Sequence, residues 1–453
     1  MIKIKNIIIL IITVTLIGYC IYYFVGRESK TVKLTKKLLY NTSEKFAEID
    51  KYIVYGTHLN IEGKIDEKIY EDNIISAELV FKSVEDKMQS FEIEYEMSND
   101  DKFTFYTSEN INDGINLDNL KNGNYYVFIK IKQKNLNTNT DDEEIVTYYS
   151  LKNKTKYNNI EYYTITKQNK NNKIDIAFDN LVVDDLKKYY MNIKIEETKL
   201  PENVYDIVID PGHGGKDGGA VTKYNGKEYA EKDITLDYAK DLKKSLEKLG
   251  LKIKLTRDGN NEEELGIYDM YGKGGRAVIP NEVKAKYTLS LHLNSAEYKM
   301  NKGGIEIYAP SNARLEFAKL LSDNIVEYAK TNYSPNVTAR VYDGVYVRNF
   351  SYYEIQSSAN SAKESGYEPY NITADTPYLF MVREPGGLAT NAYVDGRNKL
   401  YGKNPYYNSN IGVESYLLEL GFMNSTSDFE NVLNNKKLYI EGIKETFKNY
   451  LDL

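Results

Sequence analysis

The chain has 453 residues, a formal net charge of −7 and 28% charged residues, so it is long enough for two or three domains with separate cores. Basic and acidic residues are interspersed, and without a basic stripe nucleic acid is excluded as an expected partner. A single cysteine, Cys20, excludes an internal disulfide framework.

The first patterned segment is an apolar run at 7–26, preceded by Lys3 and Lys5. A run of about twenty apolar residues can cross a bilayer as a helix, so we predict a membrane anchor within residues 1–30. A cleaved signal peptide is the alternative, although the bulky Tyr19 fits a lipoprotein cleavage site poorly. Basic residues at 27–37 outnumber those before the run, and this charge count favours a cytoplasmic body.

Residues 31–198 have a strand-like pattern. Apolar and polar residues alternate at 75–81, 91–95 and 125–131, with turn-rich stretches between them. Several short strands at roughly ten-residue spacing are typical of a β-sandwich, so we expect an immunoglobulin-like domain. His58 lies here in a setting typical of a surface or half-buried residue, and this region is the candidate surface for a protein regulator.

From 199 to 453 strands alternate with helices, which predicts an α/β domain with a mostly parallel sheet. Strands are expected at 204–210, 252–256, 287–293, 304–308 and 416–420, with an amphipathic helix at 231–249. A Tyr/Ser/Asn-rich stretch at 342–376 indicates an insertion. Ligands of parallel sheets bind beyond the carboxyl ends of the strands, so residues at those ends are candidates for a site.

Two of the three histidines stand at such ends. His213 follows one strand in I-D-P-G-H-G-G (209–215), and His292 ends another in S-L-H-L-N (290–294). Imidazole is the commonest metal ligand, and it suits Zn²⁺. The pairing of two histidines at strand ends therefore predicts a zinc site.

The third ligand of this site must be a carboxylate, because no other histidine or cysteine lies in this part of the sequence. Glu231, at the start of the predicted helix, is the best candidate, and spacing alone does not separate it from Glu228. Two histidines and one glutamate leave a tetrahedral Zn²⁺ with one open position, which is typical of a catalytic centre.

These motifs carry a family resemblance over about residues 204–450. The stretch resembles the zinc-dependent N-acetylmuramoyl-L-alanine amidases of family 3, which hydrolyse bacterial peptidoglycan. The motif around His213 is similar to the family's opening motif, E-K-D at 231–233 to its second and S-L-H-L-N to its third; each contains one zinc ligand. The resemblance thereby selects Glu231 over Glu228.

Two further stretches match the same family. The sequence L-E-L-G-F-M-N at 418–424 resembles the motif that holds the catalytic glutamate, here Glu419. Arg257, Arg276 and Asn281 fit the pattern between the second and third motifs. The segment between residues 308 and 419 is longer than in the family, and substrate selection is a candidate role for the insertion.

The resemblance implies hydrolysis of the amide between the lactyl group of N-acetylmuramic acid and L-alanine of the stem peptide, with Zn²⁺ as cofactor. Glu419 is expected to be the general acid–base, and Arg383 is a candidate for stabilising the oxyanion. Peptidoglycan lies outside the membrane, so against the charge count we expect a single-pass anchor with the body on the cell-wall side. The alternatives are a catalytically idle, wall-binding scaffold and a zinc peptidase of different specificity.

Overall fold

The computed structural model describes residues 30–453 except 70, 84–87, 98–101, 136–143, 155–158, 166–170, 260–273, 298–301, 365–368, 370–371 and 388–410. The predicted anchor at 7–26 lies outside the described residues. Among the residues that are described, no helix is both long and apolar enough to span a bilayer.

The first part of the chain is rich in strands, which we call the β module. After helix α1 (Lys30–Tyr40) come β1 (Phe46–Tyr55), β2 (His58–Lys68), β3 (Ile74–Ser83), β4 (Met88–Glu92), β5 (Glu94–Met97), β6 (Lys102–Tyr106), β7 (Ile115–Asn116), β8 (Gly123–Lys134), β9 (Glu144–Asn153), β10 (Ile160–Ile165), β11 (Asn171–Val183) and β12 (Leu186–Thr198), with single 3₁₀ turns at Glu71–Asn73 and Leu117–Asn119. Alternate residues such as Leu79, Phe81, Val127 and Ile129 point into one apolar core, as the period of two requires.

The strands of the β module are linked into one sheet. Pairing runs β3–β8–β9–β1–β2–β6–β5, and β4, which continues into β5 across Ile93, pairs back onto β3. The immunoglobulin-like arrangement expected for this region stays a prediction. β8 is long enough to pair along one edge first with β12 and then with β9, which links the strands into one ladder.

A second sheet follows, which we call the C-terminal sheet. Its strands are β13 (Ile207–Pro211), β16 (Ile253–Leu255), β17 (Tyr287–Asn294), β18 (Glu306–Tyr308), β19 (Arg340–Tyr342), β20 (Val345–Tyr346) and β22 (Glu414–Phe422), in the order β16-β13-β17-β22-β18-β20-β19. A hairpin of β14 (Val221–Tyr224) and β15 (Lys227–Ala230) stands apart from it.

The C-terminal sheet is mixed, which corrects the expectation of a mostly parallel one. β16, β13, β17 and β22 are parallel, whereas β18 runs antiparallel to β22 and β19 antiparallel to β20. A connection between parallel strands needs roughly a dozen residues or more, and the chain between β17 and β18 is shorter than that. It therefore turns back on itself, and β18 enters the sheet in reverse.

Helices lie between and after these strands in the sequence: α2 (Glu231–Glu247), α3 (Ile279–Glu282), α4 (Glu316–Ala329), α5 (Tyr352–Glu364), α6 (Phe380–Gly386), α7 (Thr426–Asn434) and α8 (Lys436–Tyr450). In α2 the residues Ile234, Tyr238, Leu242 and Leu246 recur every four positions and are buried in the core. Each buried leucine contributes about 1.5–3 kcal/mol, so this stripe fixes α2, and with it Glu231, against the sheet. β19, β20 and α5 occupy the region of the predicted insertion.

The β module is joined to the C-terminal sheet through its own backbone. The short strand β21 (Ile411–Gly412), just before β22, pairs in parallel with Val54 and Tyr55 of β1. The Tyr55 hydroxyl also accepts a hydrogen bond from the Ser415 amide at 3.3 Å. These contacts lie at the amino end of β22, so the β module is attached at the end of the sheet opposite to the carboxyl ends.

Candidate metal centre

Glycines shape the loop that carries His213 after β13. His213 has φ of 59°, a left-handed conformation, and lies between Gly212 and Gly214. A side-chain carbon at position 212 would overlap the imidazole of His292, and one at Gly219 would lie 2.6 Å from the His213 ring and 2.7 Å from the carboxylate of Glu231. The glycines are thus required because the backbone passes directly against the three candidate ligands.

The three predicted ligands converge. Oε1 of Glu231 lies 3.2 Å from Nε2 of His213 and 3.1 Å from Nδ1 of His292, and one ligand atom from each residue lies within 4.8 Å of the others. The imidazole centroids are 4.9 Å apart, with their planes at 77°. Tetrahedral Zn²⁺, with bonds of about 2.0–2.2 Å, holds its ligand atoms roughly 3.3–3.5 Å apart. The donor set and its spacing therefore fit a zinc ion.

Asp217 orients His213. Its Oδ2 lies 2.8 Å from Nδ1 of His213, while its Oδ1 accepts a hydrogen bond from the Gly219 amide at 3.0 Å. A carboxylate on one ring nitrogen fixes the tautomer and leaves the other nitrogen free for a metal. No sequence motif pointed to Asp217; its only signal is an acidic residue four positions after His213 within the same glycine-rich loop.

The carboxylate of Glu231 is fixed by backbone donors. Oε2 accepts a hydrogen bond from the Ala220 amide at 3.0 Å, and Oε1 accepts one from the Leu293 amide at 2.9 Å. Glu231 is only 3% exposed. Burial opposes its ionisation, but hydrogen bonds from His213 and His292 outweigh this and hold the pKa of Glu231 well below its usual range. For His213 burial lowers the pKa, whereas Glu231 and Asp217 raise it, with a net increase. Glu228, the rival in the sequence, is exposed on β15.

Two of the predicted arginines, Arg257 and Arg276, hold the loop that carries His213. Arg257 donates to the carbonyls of Pro211 (3.0 Å), Gly212 (2.9 Å) and Lys232 (2.8 Å), which ties the loop to the start of α2. Burial lowers the pKa of Arg257 to about 10, and the positive charge of Arg276 adds to this effect.

Arg276 acts through Asp210, a fully buried carboxylate at the end of β13. Arg276 Nε lies 3.0 Å from Oδ1 of Asp210, and the hydroxyls of Thr256 and Ser290 each donate to this carboxylate at 2.6 Å. A second guanidinium nitrogen of Arg276 donates to the carbonyl of His213. Asp210 therefore connects β13, β16 and β17 directly beneath the candidate ligands.

Glu419 lies beside the candidate metal ligands. In the sheet register it pairs with His292 on one side and with Glu306 on the other, so the three side chains share one face. Burial raises the pKa of Glu419 well above its usual range, and the charges of Glu231 and Glu306 raise it further. Glu306 is fully buried and accepts hydrogen bonds from Asn294 (2.7 Å), Tyr308 (2.8 Å) and Ser334 (2.6 Å). No sequence motif pointed to Glu306.

The remaining candidates lie in other settings. Arg383 is buried in α6, where it donates to the carbonyls of Pro377 (2.9 Å) and Tyr378 (2.6 Å) and pairs with Glu384 at 3.2 Å. Its role towards an oxyanion stays a prediction. Asn281 donates to the carbonyl of Pro385 at 3.3 Å.

His58 belongs to the β module and lies outside the three-ligand cluster. Its Nδ1 is 3.3 Å from the hydroxyl of Thr57, and burial lowers its pKa to about 4. Within the described part of the chain, His213, Glu231 and His292 are the only group of three or more His, Cys, Asp or Glu side chains close enough to share a metal ion.

Comparison with known proteins places these ligands in a recognised sequence family. Residues 207–361 match the Amidase_3 family, N-acetylmuramoyl-L-alanine amidase. The matched segment contains His213, Glu231 and His292 and ends before Glu419. It confirms the resemblance for this part of the chain.

Part of the chain is also similar to individual proteins and solved structures. A probable cell wall amidase, LytH, of Staphylococcus aureus is 38% identical over 112 residues, which are 24% of this chain and 33% of LytH. The chain thus spans about a third of the length of the curated relatives it matches. An N-acetylmuramoyl-L-alanine amidase from Clostridium difficile 630 is 22% identical, with 55% of this chain and 98% of that chain covered and a TM-score of 0.35. AmiC2, an amidase of Nostoc punctiforme, gives the same values.

Proposed function

We propose that this chain, whose residues 207–361 belong to the N-acetylmuramoyl-L-alanine amidase family, is a zinc-dependent peptidoglycan amidase. The reaction is hydrolysis of the amide between the lactyl group of N-acetylmuramic acid and the L-alanine of the stem peptide. The observation that carries the proposal is the convergence of His213, Glu231 and His292 next to a carboxylate, Glu419, on the adjacent strand.

His213, Glu231 and His292 would hold the zinc. Bound there, the ion would supply an acidified water molecule and polarise the scissile carbonyl. Asp217 keeps the proton of His213 on Nδ1 and so presents Nε2 as a ligand. The backbone amides of Ala220 and Leu293 hold the carboxylate of Glu231 in place, so the donor set is organised before the ion arrives.

Glu419 would move the proton. An amide has a poor leaving group, so its nitrogen must be protonated as the C–N bond breaks. A raised pKa suits a carboxylate that takes a proton from the attacking water and returns it to the departing alanine nitrogen, a general acid–base contribution of roughly 10²–10⁴-fold. Glu306 stands beside Glu419 as a second negative charge and adds to the raised pKa.

The cellular setting follows from the substrate. We infer a body on the cell-wall side of the membrane, attached through residues 7–26, with a β-rich domain over 31–198 and the amidase domain over 199–453. The β module adds no side chain to the three-ligand cluster. Wall attachment or contact with a regulator is the role we assign to it.

The test is product analysis on purified cell walls. The full chain in mild detergent should release new L-alanine amino termini and no reducing sugar ends, and a chelator should abolish this release until zinc is restored. Glu419→Gln, which changes one oxygen to nitrogen, is the matched inactive control. New amino termini on residues other than L-alanine would identify a peptidase of different specificity, and no cleavage by metal-loaded protein would contradict the proposal.

A further inference from the structure

A cavity of about 950 Å³ lies between the β module and the amino end of the C-terminal sheet. Its walls come from both parts, with Asp113 and Asp118 on one side and Lys286, Tyr287 and Arg314 on the other. Tyr287 starts the strand that carries His292 five residues later, roughly 16 Å away at ~3.3 Å per residue. The cavity is therefore separate from the candidate metal centre. Its size and its position between two folded units are typical of ligand sites.

The lining of this cavity is acidic. Five carboxylates face two cations. The carboxylates are Asp113, Asp118, Glu197, Glu316 and Asp452. Both cations are already engaged: Lys286 pairs with Asp206 at 2.7 Å, and Arg314 pairs with Asp113 at 2.7 Å and also with Glu316. Arg314, Asp113 and Glu316 together carry a net charge of −1, so the lining favours a positively charged ligand.

Asp118 has an unsatisfied acceptor in this wall. Its Oδ1 is buried and accepts no hydrogen bond. Burial raises the pKa of Asp118 to about 6, so the carboxyl is mostly ionised at neutral pH. The neighbouring Thr164 hydroxyl lowers this pKa most, and Lys286 lowers it electrostatically but gives its own hydrogen bond to Asp206. A buried carboxylate oxygen without a donor is costly, and a ligand that donates a charged hydrogen bond would remove the cost.

The ligand is not a bare metal ion. Among the residues described, only the His213, Glu231 and His292 cluster brings three such donors together, so the carboxylates of the cavity do not converge on one point. The wall also presents the amide side chains of Asn119, Asn122 and Asn172, whereas those of Asn112 and Asn116 bond to the backbone of Arg314 and of Asp118. Amides donate and accept hydrogen bonds in the way that peptide groups require. Dispersed carboxylates and amides suit an extended ligand with an amine and several peptide bonds.

We infer that this cavity binds a short peptide through a protonated primary amine placed against Asp118. The source we assign, the stem peptide of peptidoglycan, rests on the proposed function. Binding there would hold the wall at the face of the protein opposite to the metal centre. A free polyamine offers the same ammonium chemistry without the peptide groups.

Calorimetry on the full chain in mild detergent tests the inference. The chain should carry His213→Ala and His292→Ala, which remove the candidate metal centre as a second peptide site. The probes are the tripeptide L-Ala-D-Glu-L-Lys, the same tripeptide with both amines acetylated, and spermidine. We expect the free tripeptide to bind, and the acetylated form and spermidine to bind at least tenfold more weakly.

Variants locate the site. Asp118→Asn should weaken tripeptide binding at least tenfold, and the exposed Glu316→Gln on the opposite wall several-fold, whereas Asp72→Asn, an exposed change on the β module, should have no effect. Equal binding of the acetylated tripeptide, preferred binding of spermidine, or full binding by the Asp118 variant would overturn the inference. Hydrolysis of walls by the unmodified chain is measured separately. Its loss alone contradicts the proposed function, and loss of peptide binding alone contradicts this inference.

Discussion

Glu414 provides a quantitative test of how the strand carrying Glu419 is held. It is fully buried at the amino end of β22, and its Oε1 accepts hydrogen bonds from the hydroxyls of Tyr416 at 2.6 Å and Tyr450 at 2.9 Å. Burial raises its pKa from 4.5 to about 7, although the tyrosine hydroxyls oppose this increase. The folded protein therefore keeps a proton that the unfolded chain has already released.

The sign and size of the effect follow from this difference. Between pH 4.5 and about 7 the folded state binds more protons than the unfolded state, so the free energy of unfolding falls as pH rises and levels off above that window. At ~1.36 kcal/mol per pKa unit, the difference between 4.5 and about 7 corresponds to about 3 kcal/mol. Glu414→Gln cannot titrate, so this part of the pH dependence should be absent from the variant.

Urea unfolding of the full chain, followed by tyrosine fluorescence at several pH values, measures the effect. The stability of Glu414→Gln relative to the unmodified protein should rise by about 3 kcal/mol from pH 4.5 to 7.5. Taking the difference between the two proteins cancels the titration of the groups they share. Glu94→Gln, an exposed change on β5, should follow the unmodified protein throughout. Parallel curves for Glu414→Gln and the unmodified chain would refute the assignment of a neutral, buried carboxyl.

Four further outcomes are expected. Glu419→Gln should keep its metal and its fold but lose wall hydrolysis by about 10²–10⁴-fold; near-normal activity in this variant, with Glu414→Gln inactive, would mean that the wrong carboxylate was chosen. The double variant His213→Ala, His292→Ala should retain no stoichiometric zinc by elemental analysis. Asp217→Ala should lower zinc affinity by roughly 10–100-fold in chelator competition, with activity recovered at saturating zinc; unchanged affinity would contradict its orienting role. Protease added to wall-stripped cells should digest the body of the protein. Protection equal to that of a cytosolic control would instead favour the cytoplasmic body that the charge count predicts.

The convergence of His213, Glu231 and His292 was predictable because local patterns encode their positions. His213 and His292 follow apolar runs that become β13 and β17, and Glu231 is the first residue of a helix with a clear apolar stripe. Parallel neighbours bring such positions to one edge of a sheet, so no long-range information was needed. The choice between Glu231 and Glu228 did need the family pattern, because a short hairpin places Glu228 only three residues before the helix and on an exposed strand.

The features that the sequence did not predict depend on contacts between residues distant in sequence. Pairing of β21 with β1 joins positions more than 350 residues apart, and β21 has only two residues, too few for a periodic signal. The sequence around Glu306 shows only a polar residue in a short strand. Its position beside Glu419 follows from the pairing of β18 with β22. The reversed direction of β18 made the expected parallel sheet wrong in the same way, since periodicity gives the presence of a strand but not its direction.

The two ends of the C-terminal sheet hold different groups, and the strand β22 connects them. Its amino end is held by Tyr55 of the β module and by the buried Glu414, whereas Glu419 lies five residues further on, beside His292. Because a strand is stiff along its length, a change in the contacts between the β module and the amino end of β22 would shift Glu419 relative to the candidate metal ligands. Attachment of the β module at this end leaves the metal centre facing away from it, so a peptide or regulator bound to the β module would act on Glu419 through β22 without covering the site.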